Sequence, residues 1–427
     1  MSDIIPYALL PEDPTSEAWL CWIDDRDGAD GSEQTVELGN QSASTTGDEI
    51  PELSGTYLYS ATITDLDPAE DYSGEVDGEE TIEYRTCPDG PIIRVGVISD
   101  IHPERSAMTD PGPLEELGNL DPNLVLIPGD MLTNRREKTT EHAEAWRDIW
   151  FDEYYAALSS NRLMPIFAIP GNHEVDHPWH SENDLDFDPE RGHYHFFFKN
   201  THELDPAGKN YAAISVNDSV QVIGLDTFSE EPKNQESWLE AVIDDSHDVI
   251  IPFSHNTMFH SAEHSTHYHG NVERYEIAEQ MQDHWFKSFY ENGVLMYFGG
   301  HVHNRHYTTR LGFSDQSEEN SLEIDSGYVV EDSDGLIEFG SGWKSTRSYE
   351  GDLPDWVHDY ADWDSDDHQF YTVDVTNPSV TVTEYDPGGD VYESHNLAGA
   401  QRMSISTDSK ISIDTDASVS IDVGDSS

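Results

Sequence analysis

Two kinds of hydrophobic spacing divide the chain. Up to about residue 90, short runs of β-type composition are separated by Gly, Asp and Pro, and no helical period interrupts them. The clearest of these runs are 17–25, 56–64 and 80–87. This pattern is typical of a small antiparallel sandwich. We therefore expect residues 1–90 to form an all-β domain.

From about residue 91, apolar strand-like runs alternate with segments in which apolar residues recur at helical spacing. The helical segments are 137–159, 235–245 and 272–291. Each is expected to pack one face onto a sheet, and the aromatic residues in them are interpreted as core rather than as ligands. The alternation indicates an α/β domain, which we place at residues 91–395.

The end of the chain has a third pattern. Apolar and polar residues alternate with period two in residues 403–423. The apolar side chains all occupy odd positions: Met403, Ile405, Ile411, Ile413, Val419, Ile421 and Val423. Such a segment reads as a strand with one apolar face, which it cannot bury alone. We expect the tail 396–427 to pair with its own domain, with a second copy in a homo-oligomer, or with a larger assembly. The alternative is a flexible acidic tail.

The charge of the chain changes how its acidic residues are interpreted. There are 87 acidic and 21 basic residues, for a formal net charge of −66. Such a surface repels itself in dilute buffer, but at molar salt the screening length falls to ~3 Å. The composition resembles that of haloarchaeal proteins, so acidic runs such as 359–367 are expected to be solvated faces rather than metal sites. It also gives no strong signal for nucleic-acid binding, which needs basic phosphate contacts.

Few features report on the cellular compartment. No stretch approaches the ~20 apolar residues of a membrane span, and the first residues lack the basic and apolar regions of an export signal. A high-salt cytoplasm and a surface or virus-particle location therefore both stay open. Cys21 and Cys87 lie in the first ninety residues. Two buried free thiols are favoured over a disulfide.

Polar side chains that can bind metals follow five separate apolar runs, 92–99, 123–129, 164–171, 248–254 and 294–300. In chain order the runs end at Asp100-Ile101-His102, Asp130, Asn172-His173-Glu174, His255 and His301-Val302-His303. Because ligand sites in α/β sheets lie beyond the carboxyl ends of the strands, we expect these side chains to share one rim. One Asp after a strand is usually a turn residue or a helix cap, but turn chemistry does not explain five such endings.

The residue types indicate the kind of metal centre. Imidazole, carboxylate and amide oxygen without thiolate suit Mn, Fe, Zn or Co. Seven donors exceed one tetrahedral zinc site but fit two ions that share a carboxylate. Two ions ~3.5–4 Å apart can hold a bridging hydroxide and bind both the attacking and the leaving oxygen of a phosphoryl group.

The motif order Asp-x-His, Gly-Asp, Gly-Asn-His-Glu, His and Gly-His-x-His, over residues 93–310, resembles the calcineurin-like metallophosphoesterases. The resemblance implies a four-layer α/β fold, two sheets flanked by helices, and a binuclear hydrolase of phosphate monoesters or diesters. It assigns one metal ion to Asp100, His102 and His303, the other to Asn172, His255 and His301, and the bridging role to Asp130. By the same resemblance, His173 stabilises the phosphate or protonates the leaving group instead of binding metal. Gly299 and Gly300 are expected to let the backbone turn tightly.

Within that family the architecture resembles the purple acid phosphatases, which also carry a fibronectin type III-like domain ahead of the catalytic domain. The stretch 66–72 resembles the tyrosine corner of such domains, in which Tyr72 would hydrogen-bond back across a turn. The loop 255–270 resembles their histidine loop. This implies that His264 and His267 face the substrate, one of them as the general acid. The alternative is that both are polar loop residues.

Two positions depart from the purple acid phosphatase pattern. Thr133 stands where those enzymes have their metal-binding tyrosine, and they lack a histidine at the position of His102. The resemblance therefore implies a centre without a tyrosinate charge-transfer band. An interaction protein that displays this domain on a surface layer or virus particle is the alternative. A nuclease of the same superfamily is disfavoured by the lack of a basic groove.

Overall fold

The computed structural model describes residues 4–103, 111–133, 138–175, 192–198, 209–244, 246–259, 273–301, 305–318, 320–340, 356–362, 369–376 and 379–397. Within them, two β-sheets pack face to face and each carries helices on its outer face. The predicted four-layer arrangement is therefore confirmed, and it is preceded by a region made of strands alone.

The N-terminal region forms two sheets. One contains β1 (Ile4–Leu9), β2 (Ala18–Asp24), β5 (Asp48–Glu49) and β6 (Tyr57–Ile63). The other contains β3 (Gln34–Leu38), β4 (Gln41–Thr45), β7 (Asp71–Val76) and β8 (Glu80–Arg85). The bond predicted for Tyr72 is present, since its hydroxyl accepts the N–H of Asp67 at 2.6 Å. Cys21 and Cys87 are buried free thiols, as predicted.

The first sheet of the α/β region is built on three parallel strands. These are β9 (Ile92–Val97), β10 (Leu124–Ile127) and β11 (Pro165–Ala168). Beside β9, antiparallel pairing adds β22 (Phe370–Thr376), β23 (Val380–Tyr385) and β24 (Val391–Asn396). Along β10, Leu124 and Leu126 face the second sheet, whereas Val125 and Ile127 face the helices. A strand covered on both faces has to be apolar throughout, which explains the unbroken run in the sequence.

The second sheet has a parallel centre of β13 (Val220–Leu225), β14 (Val249–Ser254), β15 (Met296–Gly299) and β20 (Ile337–Gly340). Its antiparallel edges are β12 (Ala212–Ser215) on one side, and β16 (Arg305–Thr308) and β21 (His358–Asp362) on the other. A small sheet of β17 (Leu311–Ser314), β18 (Leu322–Ile324) and β19 (Gly327–Glu331) lies outside it.

Helices cover both outer faces. They are α1 (Gly112–Asn119), α2 (Thr140–Glu144, then π-helical Ala145–Tyr155, then Ala156–Leu158), α3 (Tyr194–Phe197), α4 (Pro232–Val242) and α5 (Glu273–Met281, then π-helical Gln282–Phe286, then Lys287–Glu291). The three predicted helices are present. Helix α4 begins at Pro232, three residues before the predicted start, because proline suits the first turn, where its missing N–H is not needed.

The N-terminal region is joined to the α/β region through the backbone. Strand β1 pairs in parallel with β11, so that one ten-stranded sheet runs through both regions. Leu163 also donates its N–H to the carbonyl of Glu83 at 2.7 Å. The domain boundary at residue 90 stays a prediction, but hydrogen bonds and a shared core cross it.

Two expectations from the sequence concern other parts of the chain. The period-two segment 403–423 lies outside the described residues, so docking of the tail stays a prediction. Among the described helices, none has the length and apolar character needed to cross a membrane.

We predict that Tyr155→Phe destabilises both regions together. The Tyr155 hydroxyl donates to the carbonyl of Met164 and accepts the N–H of Ala8, each at 2.8 Å, and so links β11 to β1. Removing it leaves buried groups without a partner and should lower the free energy of unfolding by about 1–3 kcal/mol. Denaturant titration in molar salt would measure this.

The control is Tyr57→Phe, because the half-buried Tyr57 hydroxyl makes no hydrogen bond to any described residue. Two separate unfolding transitions, with only one of them shifted in Tyr155→Phe, would contradict a shared folding unit.

Candidate metal centre

The five strand ends at which the sequence predicts metal ligands meet at one end of the two packed sheets. Three belong to the first sheet (β9, β10, β11) and two to the second (β14, β15), so the centre lies between sheets rather than along one sheet. The side chains brought together are Asp100, His102, Asp130, Asn172, His173, His255 and His301, and each residue is at most 8% exposed.

Asp130 lies at the middle of this group. Its Oδ2 atom lies 3.2 Å from Nε2 of His102, 3.3 Å from Nε2 of His255 and 3.8 Å from Nε2 of His173. Its Oδ1 atom accepts the backbone N–H of His173 at 2.9 Å. One buried carboxylate therefore faces three imidazoles from three different strand ends.

The donor atoms form two overlapping groups. One consists of His102, Asp130 and His173, and the other of Asp130, His255 and His301; within each, the ligand atoms lie within 4.8 Å of one another. Nε2 of His255 also lies 3.2 Å from Oδ1 of Asn172. Nitrogen and oxygen donors at this spacing fit two borderline transition-metal ions with Asp130 in common.

Asp100 connects the two sheets at this end. Its carboxylate accepts the backbone N–H of His301 at 2.8 and 3.0 Å and the hydroxyl of Ser99 at 2.8 Å. Oδ1 of Asp100 lies 4.0 Å from Nε2 of His102. Asp100 therefore holds the loop after β15 against the loop after β9.

Four of the candidate ligands have left-handed backbone conformations. The φ angles are 55° for Asp100, 43° for His102, 54° for Asp130 and 69° for His301. Such residues cost of order 1–3 kcal/mol each and persist only where the surrounding structure determines them. Here the tight loops turn four side chains inward at the ends of straight strands.

The glycines beside the ligands provide space. Neither Gly299 nor Gly300 has a positive φ, so any turn here does not need the left-handed conformation that favours glycine, and the structure shows a close approach instead. A Cβ on Gly300 would lie 2.1 Å from Oγ of Ser99 and 2.3 Å from Oδ2 of Asp100. A Cβ on Gly171 would lie 2.2 Å from Oδ1 of Asp130. Larger residues at these positions would displace the carboxylates.

The electrostatics favour positive charge in the centre. Burial alone would raise the pKa of Asp130, but His255, His173 and His102 outweigh it and hold that pKa well below its usual range. Burial lowers the pKa of His255, but Asp130 outweighs it and raises the pKa to about 9. Nδ1 of His255 lies 2.6 Å from the Pro128 carbonyl, and donation there leaves Nε2 directed at Asp130. A metal ion would replace the proton on Nε2.

Glu174 supports the centre in a way that the sequence did not reveal. Its buried carboxylate accepts the backbone N–H groups of Asp130 and Gly171, each at 2.8 Å, and of Leu132 at 3.2 Å. Burial and the neighbouring Asp130 raise the pKa of Glu174 to about 8. The motif Gly-Asn-His-Glu made Glu174 visible, but not its role of joining two ligand loops.

A sixth strand end also contributes, again without a sequence-based prediction. After β13, Phe228 packs its ring 5.2 Å from that of His255 and 5.4 Å from that of His301. The loop is fixed by Asp226, which accepts the N–H of Phe228 at 2.7 Å and whose pKa burial raises to about 6. An Asp directly after an apolar strand was the signal that could have identified this loop.

Three of the predicted site residues, His264, His267 and His303, lie outside the described residues. His173, expected not to bind metal, has a ring nitrogen in the first group of donor atoms. Thr133, at the tyrosine position of the purple enzymes, places Oγ1 3.4 Å from Nδ1 of His102.

The chain is similar to known proteins in both sequence and fold. Residues 93–305 match the family model for calcineurin-like phosphoesterases. The structure is similar to that of purple acid phosphatase PPD1 from yellow lupin (Lupinus luteus) seeds, with 15% identity, a TM-score of 0.65, and coverage of 96% of this chain and 77% of that chain. A weaker similarity is to GAP50, the anchor in the inner membrane complex of Plasmodium, with 13% identity, a TM-score of 0.46, and coverage of 72% and 89%. No curated protein matches the chain.

We predict that Glu174→Gln weakens metal binding. The amide would place an N–H₂ group against backbone N–H donors, and the loops that carry Asp130 and Asn172 would separate. Loss of a supporting hydrogen bond around metal ligands typically lowers affinity about 10–100-fold. Calorimetric titration of the metal-free protein with Mn²⁺ would measure this change.

Glu49→Gln is the matched control, since Glu49 also accepts a backbone N–H, from Gly55 at 2.9 Å, but on the exposed surface of the N-terminal region. Equal Mn²⁺ affinity in Glu174→Gln and in the wild type would show that Glu174 does not support the centre.

Proposed function

Because the chain belongs to the calcineurin-like metallophosphoesterases and is a phosphoric ester hydrolase, we propose that it cleaves phosphate monoesters or diesters at a centre for two metal ions. The observation that carries the proposal is that two groups of buried donor atoms have Asp130 in common. When bound, such a pair of ions supplies Lewis acidity and makes water a nucleophile at neutral pH.

The candidate ligands divide between the two ions. Asp100, His102 and His303 are proposed to hold one ion, and Asn172, His255 and His301 the other. Asp130 is proposed to bridge, as supported by the position of its Oδ2 near imidazoles of both groups. The donor set suits Mn, Fe or Zn and does not select among them.

His173 is proposed to act on the phosphate instead of binding metal. It is 6% exposed, and its ring stands edge-on to that of His102, with centroids 4.7 Å apart. The bond from its backbone N–H to Asp130 fixes its position. From there the imidazole would stabilise the phosphate or protonate the leaving oxygen. His264 and His267 are the further candidates for the general acid.

Thr133 supports a centre different from that of the purple enzymes. A threonine hydroxyl does not form the tyrosinate that colours an iron centre. Its position 3.4 Å from Nδ1 of His102 instead orients that imidazole, so that Nε2 faces the metal position. The protein would thus combine the metallophosphoesterase ligand set with an N-terminal β-sandwich.

Asp130→Asn should reduce kcat for p-nitrophenyl phosphate and its bis-ester at least about a hundredfold, because the shared carboxylate is lost (about 2.7 kcal/mol of barrier). The assay uses molar KCl with Mn²⁺ or Fe²⁺, as the net charge of −66 requires screening.

Asp24→Asn is the control, since Asp24 is also a fully buried carboxylate but pairs with Arg26 in the N-terminal region. Wild-type turnover in Asp130→Asn would disprove catalysis at this centre.

The iron-loaded protein should show no intense visible absorption band, because Thr133 occupies the tyrosine position. Absorption spectra of the iron-loaded and zinc-loaded protein would test this, the zinc form serving as the baseline. A strong band present only in the iron form would mean that a tyrosinate from elsewhere binds the metal.

A further inference from the structure

We propose that Phe228 is a positioning residue that holds the imidazoles of His255 and His301, so that the metal ion at this pair binds first and more tightly than the other ion. The inference rests on the proposed function and deepens it by giving the order in which the two ions bind. Phe228 lies in the loop after β13, outside every ligand motif of the sequence, and is fully buried.

Three rings pack against one another on this side of the centre. The ring centroid of Phe228 lies 5.2 Å from that of His255 and 5.4 Å from that of His301, and the two imidazole centroids lie 5.0 Å apart. The ring planes are inclined to one another by 60°, 57° and 66°, and aromatic rings prefer such angles to face-to-face stacking. Because each imidazole contacts the other two rings, the pair has little side-chain freedom left to lose when an ion binds.

The loop that carries Phe228 is fixed by the fully buried Asp226. Oδ1 of Asp226 accepts the N–H of Phe228 at 2.7 Å and that of Ser229 at 2.9 Å, and Oδ2 accepts the Ser229 hydroxyl. The backbone N–H of Asp226 donates to Oε1 of Gln235, on helix α4, at 3.1 Å. A buried carboxylate bonded in this way fixes one backbone geometry, and the Phe228 ring is thereby placed.

Hydrogen bonds also tie this loop to the strands that lead to the two histidines. The Thr227 hydroxyl donates to Oδ1 of Asn256 at 3.0 Å, and both residues are fully buried. The carbonyl of Asn256, the residue after His255, accepts the hydroxyl of Tyr297 at 2.7 Å. Tyr297 lies on β15, the strand that leads to His301. The orientation of the two imidazoles is therefore set by three linked strands, β13, β14 and β15.

The histidine on the other side of the centre has a longer supporting contact. Oγ1 of Thr133 lies 3.4 Å from Nδ1 of His102, whereas the Pro128 carbonyl lies 2.6 Å from Nδ1 of His255. The ring of His102 packs edge-on to that of His173, which is proposed to act on the phosphate. Ligands that are oriented in advance bind their ion more tightly, so the ion at His255 should bind before the ion at His102.

Calorimetric titration of the metal-free protein with Mn²⁺ in molar KCl tests this order. The wild type should bind two ions in two steps, and His301→Ala should abolish the tighter step while His102→Ala abolishes the weaker one. Phe228→Ala should weaken the tighter step about 10–100-fold and leave the other unchanged, because only one pair of imidazoles loses its support. An unchanged tighter step, an equal loss in both steps, or the reverse assignment of the steps would overturn the proposal.

Phe151→Ala is the matched control. Phe151 is also a fully buried ring, but it packs on Tyr7, with centroids 4.2 Å apart, between α2 and β1. This variant should leave both Mn²⁺ affinities unchanged, and a loss equal to that in Phe228→Ala would overturn the proposal. Phe228→Leu, which keeps a large apolar side chain, covers an Ala variant that fails to fold. It should weaken the tighter step about fivefold, because leucine lacks the aromatic contact with the imidazoles, and wild-type affinity would overturn the proposal.

Hydrogen exchange of the metal-free protein distinguishes failure of this inference from failure of the proposed function. In Phe228→Ala, the peptide covering residues 296–301 should exchange about tenfold faster, because the loop whose His301 N–H donates to Asp100 loses its packing. If the wild type binds no Mn²⁺, the proposed function and the order of binding both fail, while faster exchange would still show that Phe228 holds this loop. Unchanged exchange would disprove the positioning role itself.

Discussion

The buried carboxylate of Asp130 sets the constraint on which the rest of the catalytic end depends. At 1% exposure it has lost its hydration, and three imidazole nitrogens within 3.8 Å replace it. Those imidazoles come from strand ends in two different sheets. The two sheets must therefore pack with their carboxyl ends aligned, and the four-layer core provides that alignment.

Meeting this constraint requires unusual local structure, which the surroundings stabilise. Asp130 has a left-handed backbone, and its N–H and that of Gly171 both donate to Glu174. Gly171 has no side chain because the Asp130 carboxylate occupies that space. The left-handed backbone of Asp130, the missing side chain at Gly171 and the buried carboxylate of Glu174 act together. Removing any one of them would let the Asp130 side chain rotate away from the histidines.

The sequence predicted those features that depend on local pattern. Apolar runs predicted the strands, helical spacing predicted the helices, and donors after five strands predicted the candidate ligands. What it could not predict depends on which segments meet in space. Nothing near Leu9 indicates that β1 pairs with β11. Neither Phe228 nor the hydroxyl of Tyr155 shows a partner until the chain is folded.

In a chain of net charge −66, buried carboxylates indicate a specific structural or functional role, whereas exposed carboxylates do not. On the surface, a single carboxylate says little about function, because the many exposed carboxylates act together. They hydrate the surface and repel one another, and salt must screen that repulsion. In the interior each requires specific partners, and these partners reveal the role: backbone N–H groups for Glu174 and Asp226, imidazoles for Asp130. The same anionic shell attracts metal cations and repels a phosphate ester. Approach of substrate to the proposed centre therefore depends on screening as much as the fold does.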